Sequence, residues 1–319
     1  MRRGRGFSYH DAAGDAIRDA AVLDRIRALA IPPAWTDVWI CADELGHIQA
    51  VGTDAAGRRQ YLYHEAWRAR RDREKFRRLP EFARALAPAR EALAADLKLK
   101  GLVRERVLAC AVRLLDIGLF RIGGEDYAEE NETFGLSTLE RRHVTVSGGA
   151  IMFEFVAKGG ALQTREIADR VVRPTVLALK RRPGKPTDRL LAYRVARADW
   201  REVSADEINE WLKGLVGDEY SAKDFRTWNA TVLAAVKLAG RTGAPDRTKA
   251  VAAVIEEVAA VLGNTPAVCR DSYVDPRVIA KFKRGETIAA KLRRVARDAD
   301  RRDFADRAEI ERAVARLLA

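Results

Sequence analysis

Cysteine is scarce in this chain of 319 residues. The three present, Cys41, Cys110 and Cys269, are far apart and odd in number. They make no disulfide framework and fit a reducing cytoplasm. No CxxC or HExxH spacing occurs, and His10, His47, His64 and His143 are scattered. A metal site therefore has no sequence support, and none is expected. The phosphate-cradling pattern GxxxxGK[ST] is also absent, so no nucleotide and no other cofactor is expected. No apolar run approaches the roughly 20 residues that span a bilayer. The nearest, Val251 to Leu262, is interrupted by Glu256 and Glu257. The N-terminal MRRGRGFSYHD is basic but leads into no apolar core, unlike a secretory signal. The expectation is a soluble cytoplasmic protein without a membrane partner.

Acidic charge is in the minority. Against 58 Lys and Arg stand 46 Asp and Glu, a balance of +12. That excess points to a polyanionic partner. Hydrophobic residues make up 48%, the usual share for a folded globular chain, and the length allows two domains.

Two regions differ in pattern. A helix is expected near Asp11 to Leu29, with Ala16, Ala20, Leu23, Ile26 and Leu29 at helical spacing. After IPPAW (Ile31 to Trp35), short β-rich runs lie around Val38 to Ile40, His47 to Ala50 and Gln60 to Tyr63. Gly/Asp turns separate them, which predicts an antiparallel meander. From Arg77 onward helices dominate. Pro80 is expected to open one, and Pro88 to break or restart it. A helix is expected over Glu105 to Phe120, then β-like stretches at Phe134 to Leu139, Arg142 to Val146 and Ile151 to Val156. Ser147-Gly148-Gly149 forms a tight turn. Helices are expected to resume through Ile167–Leu179, Ser204–Leu215, Ser221–Ala239 and Asp246–Leu262. The fold class is α+β. A small β-rich N-terminal domain covers 1–77, and a larger, mainly α domain with a small antiparallel sheet covers 78–319. A flexible segment near Arg77 would join them.

Several constellations could carry chemistry. Arginines and lysines crowd Arg58 to Arg78, beside Tyr61, Tyr63 and Trp67. Charge alone describes a solvated helix face. The interleaved aromatics favour nucleic acid, with arginines on phosphates and Gln60 and Tyr61 within reach of base edges. Arg121 sits where an apolar helix meets Gly123-Gly124, where a helix-terminal charge is the ordinary explanation. Lys158 occupies the tip of an expected hairpin, Ala157-Lys158-Gly159-Gly160. Lys223 and Arg226 share one helical face by their i,i+3 spacing. Tyr273 follows Asn264 by nine residues, ahead of Asp275-Pro276. Ser272 and Cys269 lack a nearby histidine that could activate either.

Taken together these blocks resemble one family. IPPAW, GRRQYLYH, RIGGEDYAEENETFGLSTLERRHV, FVAKGG, KDFRTW and LGNTPAVCRDSYVDP are similar to the type IB DNA topoisomerases, in the short bacterial form that resembles the poxviral enzymes. The resemblance covers nearly the whole chain in family order. It implies a C-shaped clamp on double-stranded DNA, acting as a nucleoid-associated monomer. It also implies ATP- and metal-independent relaxation of positive and negative supercoils through a 3′-phosphotyrosyl intermediate. Carried over by motif, the catalytic set is Arg121, Lys158, Arg226, Asn264 and Tyr273, and the DNA contacts are Gln60, Tyr61, Tyr63, Tyr127 and Lys223. Asn264 stands where poxviral and eukaryotic relatives have histidine. Asp126, near Arg121, departs from the basic poxviral pattern. A tyrosine recombinase and a non-catalytic DNA-binding protein are the competing readings.

Overall fold

A computed structural model describes residues 2–3, 6–124, 132–196, 199–297 and 304–319. The chain divides into two units, 1–76 and 77–319.

The first unit begins with a two-residue ladder, β1 (Arg2–Arg3) and β2 (Gly6–Phe7). Helix α1 (Ala20–Ala28) is much shorter than the Asp11 to Leu29 expected. Local hydrogen bonding is the reason. The Asp11 carboxylate accepts the backbone N–H groups of Ala13 and Asp15, holding a turn that contains Gly14 at φ +92°. The Asp19 carboxylate then caps the true helix start. The expected meander forms as β3 (Thr36–Ile40), β4 (Ile48–Thr53) and β5 (Arg59–Tyr63), antiparallel in that order. Gly52 on β4 lies under the Trp35 ring, which would meet a Cβ there at 2.7 Å. Buried Gln49 donates to the Asp43, Glu44 and Gly46 carbonyls and accepts from Arg25, fixing the β3–β4 connection.

The unit boundary falls inside α2 (Glu65–Asp96), so the segment expected to be a flexible joint is helical. Pro80 and Pro88 lie within α2 and neither opens nor breaks it. An interior proline removes one backbone hydrogen bond. Against that loss stands a continuous buried stripe, Leu79, Phe82, Leu86, Ala89 and Leu93. Each such side chain contributes about 1.5–3 kcal/mol when fully buried.

The second unit is built on α3 (Arg104–Gly118), whose residues Val107 to Leu115 are almost all buried. The expected strand at Phe134 to Leu139 is instead a 3₁₀ turn at Leu136–Thr138. There the Leu136 and Ser137 N–H groups donate to the Arg121 and Ile122 carbonyls, and the Gly123 and Gly135 α-carbons meet too closely for side chains. A three-stranded antiparallel sheet follows: β6 (Val144–Ser147), β7 (Ala150–Val156) and β8 (Leu162–Ile167). Gly148 and Gly149, both at positive φ, close the first hairpin. The sequence reading assigned no strand to β8. After α4 (Arg173–Arg181) comes the short pair β9 (Ala192–Arg194) and β10 (Trp200–Glu202). The remaining helices are α5 (Ala205–Val216), α6 (Ala222–Ala239), α7 (Arg247–Leu262), α8 (Pro266–Ser272), α9 (Pro276–Lys283), α10 (Ala289–Arg297) and α11 (Phe304–Leu318).

A buried ionic knot locks four of these helices. Asp116 of α3, 1% exposed, accepts from Arg90 of α2, Arg113 and Arg307 of α11. Glu311 of α11 takes the other side of Arg90, and Asn229 of α6 donates to the Asp116 carbonyl at 2.7 Å. Burial alone would raise Asp116, but Arg307, Arg90 and Arg113 outweigh it and hold the carboxyl at about 2. Breaking such a pair from one side leaves an uncompensated buried charge, which costs about 3–5 kcal/mol. The knot fixes α3 against α6, the elements that carry two of the arginines of the candidate site. Among the described residues no single helix is long and apolar enough to cross a membrane. Helices α7 and α8 meet that test only as a pair bent by 94°.

Candidate active site

Four chain segments converge in the second unit. Helix α3 ends at Leu119 in the left-handed region (φ 56°), and the chain turns through buried Phe120 into Arg121. Phe120 packs on Phe153 and Phe155 of β7, with ring centroids 5.0 and 5.9 Å apart. Helix α7 ends at Gly263 (φ +66°), and Asn264 stands in the bend before α8. Tyr273 closes α8, its N–H donating to the Cys269 carbonyl at 3.0 Å. Arg226 lies one turn into α6, 3% exposed.

The side chains interlock. Arg226 donates through Nη2 to the Leu262 carbonyl at 3.0 Å and through Nη1 to the Leu119 carbonyl. It thereby bridges the C-terminal carbonyls of α3 and α7, where helix dipoles favour a cation. Its guanidinium carbon is 5.2 Å from the centre of the Tyr273 ring. Arg121 donates through Nη2 to the Gly263 carbonyl at 3.2 Å and to Asn264 Oδ1. Asn264 Nδ2 is thus left over, buried and without a partner, and so is Arg226 Nε. Neither arginine has a carboxylate partner among the described residues. Burial pushes the Arg226 guanidinium down to about 10. The Tyr273 phenol opposes that shift, and neighbouring Arg121 and Arg165 add to it. Arg226 remains charged at neutral pH.

The Tyr273 backbone is held from α6. Fully buried Thr231 donates its hydroxyl to the Tyr273 carbonyl at 3.2 Å and accepts the Asp275 N–H at 3.1 Å. Sequence reasoning did not pick out Thr231, because a threonine inside an apolar helix carries no local signal. Arg121, Arg226, Asn264 and Tyr273 are thus brought together. Lys158 stands exposed in the turn between β7 and β8, closed by the Ala157 N–H to Ala161 carbonyl bond at 2.9 Å. The second strand of that hairpin reaches the cluster through Gln163, whose amide lies against the Gly263 α-carbon.

The other singled-out residues lie apart. Tyr61 and Tyr63 are exposed on one face of β5, and Tyr63 stacks on Trp67 at 4.5 Å between centroids. Gln60 occupies the opposite face, donating to Asp54 at 2.9 Å. Lys223 is exposed in the first turn of α6. Tyr127 and Asp126 lie outside the described residues. Cys269 is fully buried, and burial raises its thiol to about 11. Among the described residues, no group of three or more His, Cys, Asp or Glu could hold a metal ion.

Residues 64–299 match the family model described as eukaryotic DNA topoisomerase I, catalytic core. Residues 6–54 match that of the bacterial DNA topoisomerase IB, N-terminal domain. The chain is 32% identical over 262 residues to DNA topoisomerase 1B of Acanthamoeba polyphaga mimivirus, covering 79% of this chain and 77% of that one. It is 24% identical over 289 residues to DNA topoisomerase 1B of Vaccinia virus (strain Copenhagen), covering 88% of each. DNA topoisomerase 1 of Candidozyma auris is 30% identical over 131 residues, 40% of this chain and 16% of that protein. A catalytic-core model matched over most of the chain, and a relative of this identity and coverage, establish that the chain belongs to the type IB DNA topoisomerase family.

Proposed function

We propose that this protein relaxes double-stranded DNA of either supercoil sign by transient cleavage of one strand. The Tyr273 phenol oxygen attacks a backbone phosphorus and the 5′-oxygen departs, leaving a 3′-phosphotyrosyl bond. The free strand end rotates, and the 5′-hydroxyl then attacks the same phosphorus and releases Tyr273. The energy of the broken ester is kept in the phosphotyrosyl bond, so the cycle balances without ATP, and no metal ion is invoked. The observation that carries this reading is the set of unsatisfied cationic and amide donors, Asn264 Nδ2 and Arg226 Nε with Arg121, gathered beside Tyr273 without a carboxylate. Buried donors normally have partners, and a phosphodiester supplies acceptors of the right charge.

Each residue has a role in the proposal. Arg121 and Arg226 grip the non-bridging oxygens as negative charge builds on them. Asn264 donates its free amide hydrogen to the same oxygens without titrating. Lys158 gives a proton to the departing 5′-oxygen. Tyr61, Tyr63 and the arginines around them contact the duplex from the first unit, with Gln60, Tyr127 and Lys223 as further contacts. The protein acts as a monomer, and its +12 balance gives affinity that weakens with salt.

The direct test is plasmid relaxation in EDTA without ATP, on negatively and positively supercoiled substrates. Both should relax, and a covalent adduct with nicked DNA should be trapped by denaturation. Strict dependence on magnesium or ATP would refute the mechanism, and absence of an adduct would leave a non-catalytic DNA-binding protein.

The role of Asn264 has its own test. An uncharged donor to a transition-state oxygen contributes about 1–3 kcal/mol, or roughly 5- to 150-fold in rate. Asn264→Ala should slow single-turnover cleavage by that order, and Asn264→His should restore most of it. Cleavage by Asn264→Ala at the parental rate would remove Asn264 from the mechanism.

A further inference from the structure

Strand β8, absent from the sequence reading, carries one more guanidinium to the site. Register pairs Phe153 with Arg165 and Phe155 with Gln163. Directly paired residues of antiparallel strands project from the same face of a sheet. Gln163 and Arg165 therefore share the face on which Phe153 and Phe155 pack against Phe120, the residue preceding Arg121. Gln163 closes the contact from the other side. Its amide lies on the Gly263 α-carbon, and the Gly263 carbonyl accepts from Arg121.

Arg165 is half-buried in this setting. It donates through Nη2 to Gln163 Oε1 at 2.8 Å and through Nη1 to the Thr164 carbonyl at 3.1 Å, while its Nε is buried without a partner. No carboxylate pairs with it among the described residues. Burial depresses its guanidinium, and the Arg121 charge adds to the effect. A folded chain that gathers three guanidiniums without a counter-charge stores an unfavourable charge distribution, which a bound anion relieves.

We infer that Arg165 is a third guanidinium on the scissile phosphate, held toward it by Gln163 and acting with Arg121 and Arg226 on its non-bridging oxygens. The inference rests on the reading that Tyr273 cleaves a phosphodiester here. It makes Gln163 a positioning residue, which acts only through the orientation of Arg165.

The experiment is single-turnover cleavage of an oligonucleotide duplex by the parental chain, Arg165→Ala, Arg165→Lys and Gln163→Ala. Each is tested with an ordinary scissile phosphodiester, with a neutral methylphosphonate at that position, and with a methylphosphonate at the adjacent phosphate. Thermal unfolding of each variant is followed in parallel. Loss of one donor to a developing oxyanion costs on the order of 100-fold in rate. Arg165→Ala should lose about that much on the ordinary duplex, with Arg165→Lys and Gln163→Ala intermediate. With the methylphosphonate at the scissile position, the ratio of parental to Arg165→Ala rates should collapse to within about 3-fold, because the charge that Arg165 answers is gone. Parental cleavage by a folded Arg165→Ala overturns the inference. So does an equal defect on all three substrates, which marks a structural role, and so does collapse only at the adjacent phosphate. If the parental chain itself forms no adduct, the functional reading fails instead, and the two failures are told apart by that first measurement.

Discussion

Tyr273→Phe is expected to bind duplex DNA as the parental chain does and to form no covalent adduct. The substitution removes one oxygen and leaves the ring. The 5.2 Å approach of the Arg226 guanidinium to the ring centre needs only the ring. The Thr231 bonds that hold this turn are made to the Tyr273 carbonyl and the Asp275 N–H, so they survive. The fold and the cationic cluster should therefore be intact, and salt-dependent binding measured by filter retention or anisotropy should change little. Cleavage should fall on the order of 10⁶-fold, the scale seen when a nucleophile is deleted. Neighbouring groups offer no ready substitute. Cys269 is fully buried with its thiol raised to about 11, and a thiol so protonated is a poor nucleophile. Continued relaxation by Tyr273→Phe would move the nucleophile elsewhere, with Ser272 tested first by Ser272→Ala.

The sequence and the structure agree where local pattern and tertiary packing point the same way. The meander at β3, β4 and β5 was legible because Gly/Asp turns separate β-branched and aromatic runs, and α6 and α7 because long apolar stripes have no competing period. Disagreement arises where a nonlocal interaction decides. Pro80 and Pro88 look like helix boundaries, yet the stripe from Leu79 to Leu93 is buried along α2 and carries the helix through both. The Asp11 side chain breaks an otherwise periodic helix by holding its own turn. Phe134 to Leu139 has strand-like composition, but its N–H groups go to the Arg121 and Ile122 carbonyls instead of a neighbouring strand.

The candidate site divides in the same way. Arg121, Arg226, Asn264 and Tyr273 were readable only as separate motifs whose order matches a family. No local feature says that Arg121 reaches Asn264 across 143 positions of chain. Arg165 was passed over because a lone arginine after Lys158-Gly159-Gly160 looks like surface. The signal was present as the alternation of Gln163, Arg165 and Ile167 against Leu162, Thr164 and Glu166, a two-residue period that sets one face of a strand.

Lys158→Ala should be severely slow on ordinary DNA and close to parental on a duplex in which sulfur replaces the bridging 5′-oxygen. Lys158 is exposed at the hairpin tip, where Gly159 (φ +94°) and Gly160 (φ +78°) shape the turn. Catalytic contacts in a free enzyme often tighten only once substrate is seated, so an exposed tip is compatible with a proton donor that closes on bound DNA. A departing alkoxide is a strong base and needs that proton as the bond breaks. A thiolate leaves without it. General acid catalysis contributes about 10²–10⁴-fold, and this is the loss expected of Lys158→Ala with oxygen as the leaving atom. Arg121→Ala and Arg226→Ala should regain much less with sulfur, because charge still gathers on the non-bridging oxygens whichever atom departs. The measurement is the single-turnover cleavage rate of each variant on the paired oxygen and sulfur substrates. Equal defects of Lys158→Ala on the two would exclude it as the acid and leave it an electrostatic role at the hairpin tip. Full rescue of Lys158→Ala with little rescue of the arginine variants would separate the two parts of the site by the atom each one serves: Lys158 the bridging oxygen, Arg121 and Arg226 the oxygens that remain on phosphorus.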